Sequence, residues 1–279
     1  MTAARAWKPS RTSWSMAIGL GLAGAMLFSA LFAAWLVPFD PSRMAVGPRL
    51  APPSLQFPFG TDQFGRDLLS RVLMGAHLSL AIGFGAVASG LVIGALIGLA
   101  AAFAGKVVEA LVLRVIDILY SFPDMLVALI LVAFLGPGIV NATTGVAISL
   151  VPIFARMTYG LAAAERTKPY VEAARLTGIG PARLARVHIL PNVGQNVIAV
   201  ATLGFSSAIL SAAGLSFLGL GVQPPSPEWG AILASGRDYM TRAPWILIFP
   251  GLAICLTALS MNLIGDGLRD LTDSRRRMQ

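Results

Sequence analysis

The chain has 279 residues, of which 56% are hydrophobic and only 12% charged, with a net charge of +8; soluble domains average roughly 25% charged residues. A chain this apolar, with a mean hydropathy of +0.75, cannot cover itself with a polar surface, and it holds too much apolar side chain for disorder. One cysteine, Cys255, and two histidines exclude a disulfide scaffold and leave too few soft ligands for a zinc site, so the class that remains is an all-α polytopic membrane protein.

A helix needs about 20 mostly apolar residues to cross about 30 Å of hydrocarbon. Six segments qualify: Ser15–Val37, Leu78–Phe103, Met125–Leu135 with the less apolar turns before it, Val140–Phe154, Val197–Leu220 and Ile246–Ile264. The first follows Arg5, Lys8 and Arg11, but its apolar run is too long for a signal peptide, whose apolar region spans about 7–15 residues. It reads as a retained helix. The segment after it, with Pro38, Pro41, Pro48, Pro52, Pro53 and Pro58, reads as a semi-rigid external stretch. Leu68, Leu69, Val72 and Leu73 then suggest a short helix on the membrane surface. Gly90, Gly94 and Gly98 share one face of the second span and predict a close helix contact. Gly136-Pro137-Gly138 predicts a tight turn between the third and fourth spans. The stretch 222–245 carries Pro224, Pro225, Pro227, Trp229 and Trp245, and its tryptophans suggest interface anchors.

The charges lie between the apolar blocks, so they report topology rather than nucleic-acid binding. With the N-terminus inside, Lys and Arg number fifteen on the inner segments and six on the outer ones. The positive-inside rule then places both termini in the cytoplasm. Spans two, four, five and six hold no Asp, Glu, Lys or Arg. A carrier coupled to protons or ions usually keeps an ionisable residue at membrane depth, so the energy for any transport comes from outside this chain.

Several motifs imitate chemistry. Gly19-Leu20-Gly21-Leu22-Ala23-Gly24 matches a dinucleotide fingerprint but lies inside an apolar span, where it reads as helix packing. Gly105-Lys106 lacks the Ser or Thr and the earlier glycine of a phosphate loop. His77 and His188 have no carboxylate cluster beside them. No catalytic group and no metal ligand set stands out. Ser206, Ser207 and Ser211 in the fifth span read as helix-packing residues, with the lining of a polar path as the alternative.

The loop 155–196 is more specific. Lys168–Gly178 reads as a helix stopped by Gly178, which supplies a left-handed C-terminal residue. Gly180-Pro181 restarts a helix with proline at its first position, and Ala182–Leu190 is expected to end at Pro191. Leu184 and Val187 share one face while Arg183 and Arg186 lie on another. The result is a compact hairpin joined to two spans. It can cap the bundle or dock a soluble partner.

At these residues a resemblance emerges. Glu172-Ala173-Ala174, then Gly178, then His188-Ile189-Leu190-Pro191 resembles the EAA loop of ATP-binding-cassette (ABC) importer permeases. His-Ile-Leu-Pro-Asn resembles the variant of the dipeptide/oligopeptide/nickel permease family. Phe59–Arg71, Leu215–Val222, Pro227-Glu228-Trp229-Gly230 and Asn262–Asp270 resemble further blocks of that family, so the likeness covers most of the chain. The single span before an extracellular segment is similar to the C-type permease of such systems.

The resemblance implies a type I importer permease with about six transmembrane helices in a bacterial cytoplasmic (inner) membrane. It implies an N-terminal part, 1–77, and a five-helix core, 78–279, that carries the coupling loop. Its partners are a second homologous permease, two ABC ATPase subunits, an extracytoplasmic substrate-binding protein and the lipid bilayer, with no nucleic acid. ATP and Mg sit on the ATPases; this chain carries no cofactor and is not itself an enzyme. Glu172, Ala173, Ala174, Gly178, Pro181, Arg183, Leu190 and Pro191 form the coupling loop by that analogy. Dipeptides or oligopeptides are the expected substrates, with nickel or a metal chelate as the alternative within the family. A stand-alone channel or secondary carrier is the rival from another class.

Overall fold

The computed structural model describes residues 11–276, with side chains from 14 to 271; Arg5 and Lys8 lie outside the described residues. The described chain is helical and forms no sheet. Five helices are long and apolar enough to span a membrane, and a bent pair brings the number to six.

α1 (Arg11–Leu31) and the single turn α2 (Ala33–Leu36) make the first span. α3 (Leu68–Phe103) is one unbroken helix of 36 residues, about 54 Å long at about 1.5 Å per residue. The separate surface helix expected at Leu68–Leu73 is therefore its first turns, with Leu68 and Val72 buried, and the division at 77/78 falls inside it. α4 (Lys106–Tyr120) and α5 (Asp124–Leu135) meet at 89°. The third span is thus a short helix, α5, entered through a sharp break at Ser121–Pro123, because Pro123 cannot continue a helix.

α6 (Ile139–Arg166) runs well past the expected end at Phe154. α7 (Pro169–Leu176) and α8 (Pro181–Leu184) form the hairpin. A π-helical turn, Ala185–Ile189, joins α8 to α9 (Leu190–Phe217). The expected stop at Pro191 does not occur. A proline cannot donate to the residue four before it and its ring crowds that carbonyl; here a widened turn precedes it, in which the Leu190 N–H bonds to Ala185 O. α10 (Trp229–Gly236) is short, and α11 (Trp245–Arg276) completes the bundle.

α3 and α6 run parallel at close range, as the glycine stripe predicts. A Cβ on Gly90 would lie 2.7 Å from Ala147 O, on Gly94 2.7 Å from Val151 O, and on Gly98 2.2 Å from Ala155 O. Gly19 of α1 meets Ser260 O and Leu263 of α11, whereas Gly21 and Gly24 face open space. Met16 lies against Gly267, so the start of α1 and the end of α11 sit together, at the end of the bundle that carries the hairpin.

The opposite end is closed by an ordered cap. The Pro-rich stretch is not a spacer. Ala45, Val46, Gly47 and Leu50 N–H groups bond to the carbonyls of Phe64, Gly65, Gly65 and Asp62. Asp62 accepts from Phe64 N–H at 2.9 Å, Arg66 N–H at 3.0 Å and Arg66 Nε at 2.6 Å, all but dry, with Arg71 Nε at 3.6 Å. Asp67 caps α3 by accepting from Ser70 N–H at 2.8 Å.

Trp229 is buried at 1% exposure rather than anchored at an interface, and its indole donates to Val72 O at 2.8 Å. Glu228 caps α10: its carboxylate accepts from Gly230 and Ala231 N–H at 2.9 and 2.8 Å and from Ser79 Oγ at 3.2 Å. Burial pushes the Glu228 carboxyl up, against the opposing pull of those two N–H groups.

Gly98→Ala tests the α3–α6 contact. The added methyl overpacks a backbone carbonyl, which costs about 1–3 kcal/mol. Gly21→Ala, with open space around it, should change stability by no more than about 0.5 kcal/mol. Thermal unfolding of both variants in detergent checks the contrast.

Candidate functional site

The hairpin is built by local signals. Lys168 is extended, Pro169 opens α7, Glu172 lies in its first turn and Arg175 in its last, which suits the helix dipole. Thr177 ends the helix and Gly178 turns the chain at φ +83°, a conformation that costs other L-residues about 1–2 kcal/mol. Gly180 is extended and Pro181 opens α8.

One face of the hairpin is glued to the bundle. Val171, Leu184, Ile189, Val193 and Val197 are buried with Ala102 of α3 and Ala162 of α6 in a cluster separate from the main core. Burial of each large aliphatic side chain favours this arrangement by roughly 1.5–3 kcal/mol.

The other face is open. Glu172 and Ala173 are exposed and Ala174 is half-buried against the cluster. Gly178, Pro181, Arg183, Arg186, Leu190 and Pro191 are exposed as well. Leu176 is 84% exposed and Val187 54%. The expected loop residues are therefore exposed, all but Ala174, and include both charged and apolar side chains. Pro181, Arg186 and Leu190 also line a groove of about 540 Å³ against Leu96, Leu99 and Phe103 of α3.

The three serines of α9 separate. Ser206 Oγ donates to Ala258 O of α11 at 2.8 Å and ties two helices. Ser211 is buried too, and Ser207 alone of the three is exposed.

A polar node behind the hairpin was not expected from the sequence. Glu165, in the last turn of α6, is 4% exposed. Its carboxylate accepts from Lys168 Nζ at 2.9 and 2.8 Å and from Tyr170 Oη at 2.6 Å. Asn192, in the first turn of α9, donates from Nδ2 to Tyr170 Oη at 3.1 Å and to His188 O at 2.6 Å. An acidic residue closing a long apolar helix was the available signal, but its partners lie in other elements. Nearby, α4 is tied to α6 by an Asp117–Arg156 pair at 2.9 Å and by a hydrogen bond from the Tyr159 hydroxyl to Glu109.

Comparison with known proteins places this geometry. A family model described as "Binding-protein-dependent transport system inner membrane component" matches residues 90–278. The di/tripeptide transport system permease protein DppC of Pseudomonas aeruginosa is 46% identical over 280 residues, covering 96% of this chain and 92% of that protein. The dipeptide transport system permease protein DppC of Alkalihalophilus pseudofirmus is 42% identical, covering 92% and 85%. The glutathione transport system permease protein GsiD of Escherichia coli O6:K15:H31 is 43% identical, covering 90% and 83%. Among solved structures, an inward-facing conformation of the MetNI methionine ABC transporter superposes with a TM-score of 0.56 at 19% identity. That match covers 76% of this chain and 97% of the other, and it shows a shared fold.

The node makes a titration prediction. Desolvation of the hydroxyl end, although the residue is 41% exposed overall, and then the bond to Glu165 raise the Tyr170 phenol to about 12. A raised phenol keeps its proton, so its bond to Glu165 is fully present below the ordinary value of about 10 and is lost as pH rises through about 12. The tyrosinate absorbance of the wild type minus that of Tyr170→Phe should show a component near 12.

Proposed function

The chain belongs to the family of binding-protein-dependent transport system inner membrane components, the permeases of ABC importers, and on that premise we propose that it carries dipeptides or short oligopeptides inward across the cytoplasmic membrane. The peptide assignment is supported by relatives whose names specify di- and tripeptides, dipeptides and glutathione. In this reading the chain pairs with a second homologous permease. Two ABC ATPase subunits dock beneath the pair and bind the ATP and Mg, and an extracytoplasmic binding protein delivers the peptide at the capped end. This chain performs no hydrolysis itself.

The observation that carries the reading is the hairpin: two short helices joined by a turn at Gly178, with an exposed Glu172-Ala173 face, set between α6 and α9. Closure of the ATPase pair draws the two hairpins together. Because α9 continues the π turn without a break, the displacement passes directly into a spanning helix. Both termini and the hairpin are cytoplasmic, which agrees with the fifteen basic residues assigned to that side. Glu172, Ala173, Ala174, Gly178, Pro181, Arg183, Leu190 and Pro191 form the docking element. Ser207 is the serine of α9 available to a path at the interface with the second permease.

Mild-detergent affinity purification from the native membrane, followed by mass spectrometry, tests the assembly. A second permease with one or two ATPases is the expected result; a homo-oligomer without an ATPase at any detergent strength overturns it. Gly178→Val tests the turn. Nothing lies within 4 Å of a Cβ there, so the variant is strained by its backbone conformation alone, which for a β-branched residue exceeds about 1–2 kcal/mol. Peptide uptake should fall about tenfold, as such an energy implies, while the amount inserted in the membrane stays within about twofold. Normal uptake would remove the turn from the mechanism.

A further inference from the structure

We propose that Glu165, Tyr170 and Asn192 are positioning residues that fix the angle of the hairpin to α6 and α9, and so set how much of the ATPase stroke reaches the spanning helices. This rests on the reading that an ATPase docks on the hairpin.

The apolar cluster by itself leaves α7 poorly oriented. Of the eight residues of this helix, Val171 is the one that is buried. Ala174 is half-buried against the same cluster, but so small an apolar contact is non-directional, since the hydrophobic effect scales with area and not with angle. A second attachment in the same turn is needed to stop the helix pivoting, and Tyr170 is its neighbour. Its hydroxyl is held at 2.6 Å by a carboxylate of α6 and at 3.1 Å by an amide of α9. Three elements therefore converge on one oxygen.

The node is directional and costly to leave half-made. Glu165 is 4% exposed, and a buried carboxylate is tolerated only when its lone pairs are occupied. Lys168 Nζ occupies both of its oxygens and Tyr170 adds a charge-assisted bond to one of them. Asn192 has a second duty. Its amide donates to His188 O at 2.6 Å within the π turn, next to Pro191, which cannot donate. The same side chain thus braces the irregular turn at the entry to α9 and the hydroxyl at the entry to α7. A push on the exposed face of α7 then moves α6 and α9 together instead of bending the links at Thr167–Lys168 and Thr177–Gly180.

The test uses the whole importer in proteoliposomes with its binding protein and labelled alanyl-alanine, and reads uptake and ATP hydrolysis in the same vesicles. Tyr170→Phe keeps the ring and removes the hydroxyl. The complex should assemble at wild-type yield and hydrolyse ATP at close to the wild-type rate, since hydrolysis takes place on the ATPases and the exposed docking face is unchanged. Uptake per ATP should fall about fivefold or more, as expected when about 1 kcal/mol of orientation is lost. Glu165→Gln should lower the same ratio, and the double variant should be no worse than the worse single one, because both break one node. A wild-type ratio in Tyr170→Phe overturns the proposal, even where Glu165→Gln fails to insert. So does an additive double variant, or a loss of ATPase from the complex that parallels the loss of uptake. A wild-type complex that carries no ATPase overturns the docking reading instead, so the two failures are told apart.

Discussion

The close parallel contact of α3 with α6 is the constraint on which the rest of the molecule depends. In lipid, apolar side chains gain little by leaving the hydrocarbon, so helices associate through packing and polar contacts. Gly90, Gly94 and Gly98 let the backbones approach until the carbonyls of Ala147, Val151 and Ala155 occupy the space of the missing Cβ atoms. α3 reaches from the cap at one end to Phe103 at the other, where the Arg166 guanidinium lies 4.9 Å over the Phe103 ring. One helix pair thereby sets the distance between the cap and the hairpin.

At the capped end, polar groups are buried and most are engaged rather than solvated, with Asp67 Oδ1 and Arg71 Nε left without a hydrogen bond. Asp62 gathers Arg66 and Arg71, and Glu228 holds the start of α10 against Ser79 of α3. Breaking such a buried pair is far more costly than its net contribution to stability. That specifies one arrangement of the cap and of the α9–α11 connection. Phe59 stacks on Phe249 at 3.9 Å and Trp245 donates to Thr61 O at 3.1 Å, joining the cap to α11.

At the other end the design is reversed. The attached face of the hairpin is apolar and small in area, its outer face is exposed, and a few directional bonds set its orientation. This suits an element that bears a load from a partner. In the docking proposed above, the exposed surface of Glu172, Ala173, Leu176 and Arg183 offers a mixture of charge and apolar area.

The sequence by itself determined the class, the spans and the hairpin. Period and length of apolar runs follow directly from the thickness of the bilayer, and Gly178 and Pro181 encode their turns through backbone sterics that need no partner. The glycine stripe likewise announced a close contact, although not with which helix. The tertiary structure alone decided four things. It decided that Leu68–Phe103 is one helix, that Pro191 is absorbed by a π turn, that Trp229 is a core wedge, and that Glu165 meets Tyr170 and Asn192. Two of these depend on a partner distant in sequence: Trp229 on Val72 and Asn192 on Tyr170. A polar or aromatic side chain is free to face water, lipid or another helix with the same local sequence around it. Only the packed bundle fixes which of these it meets.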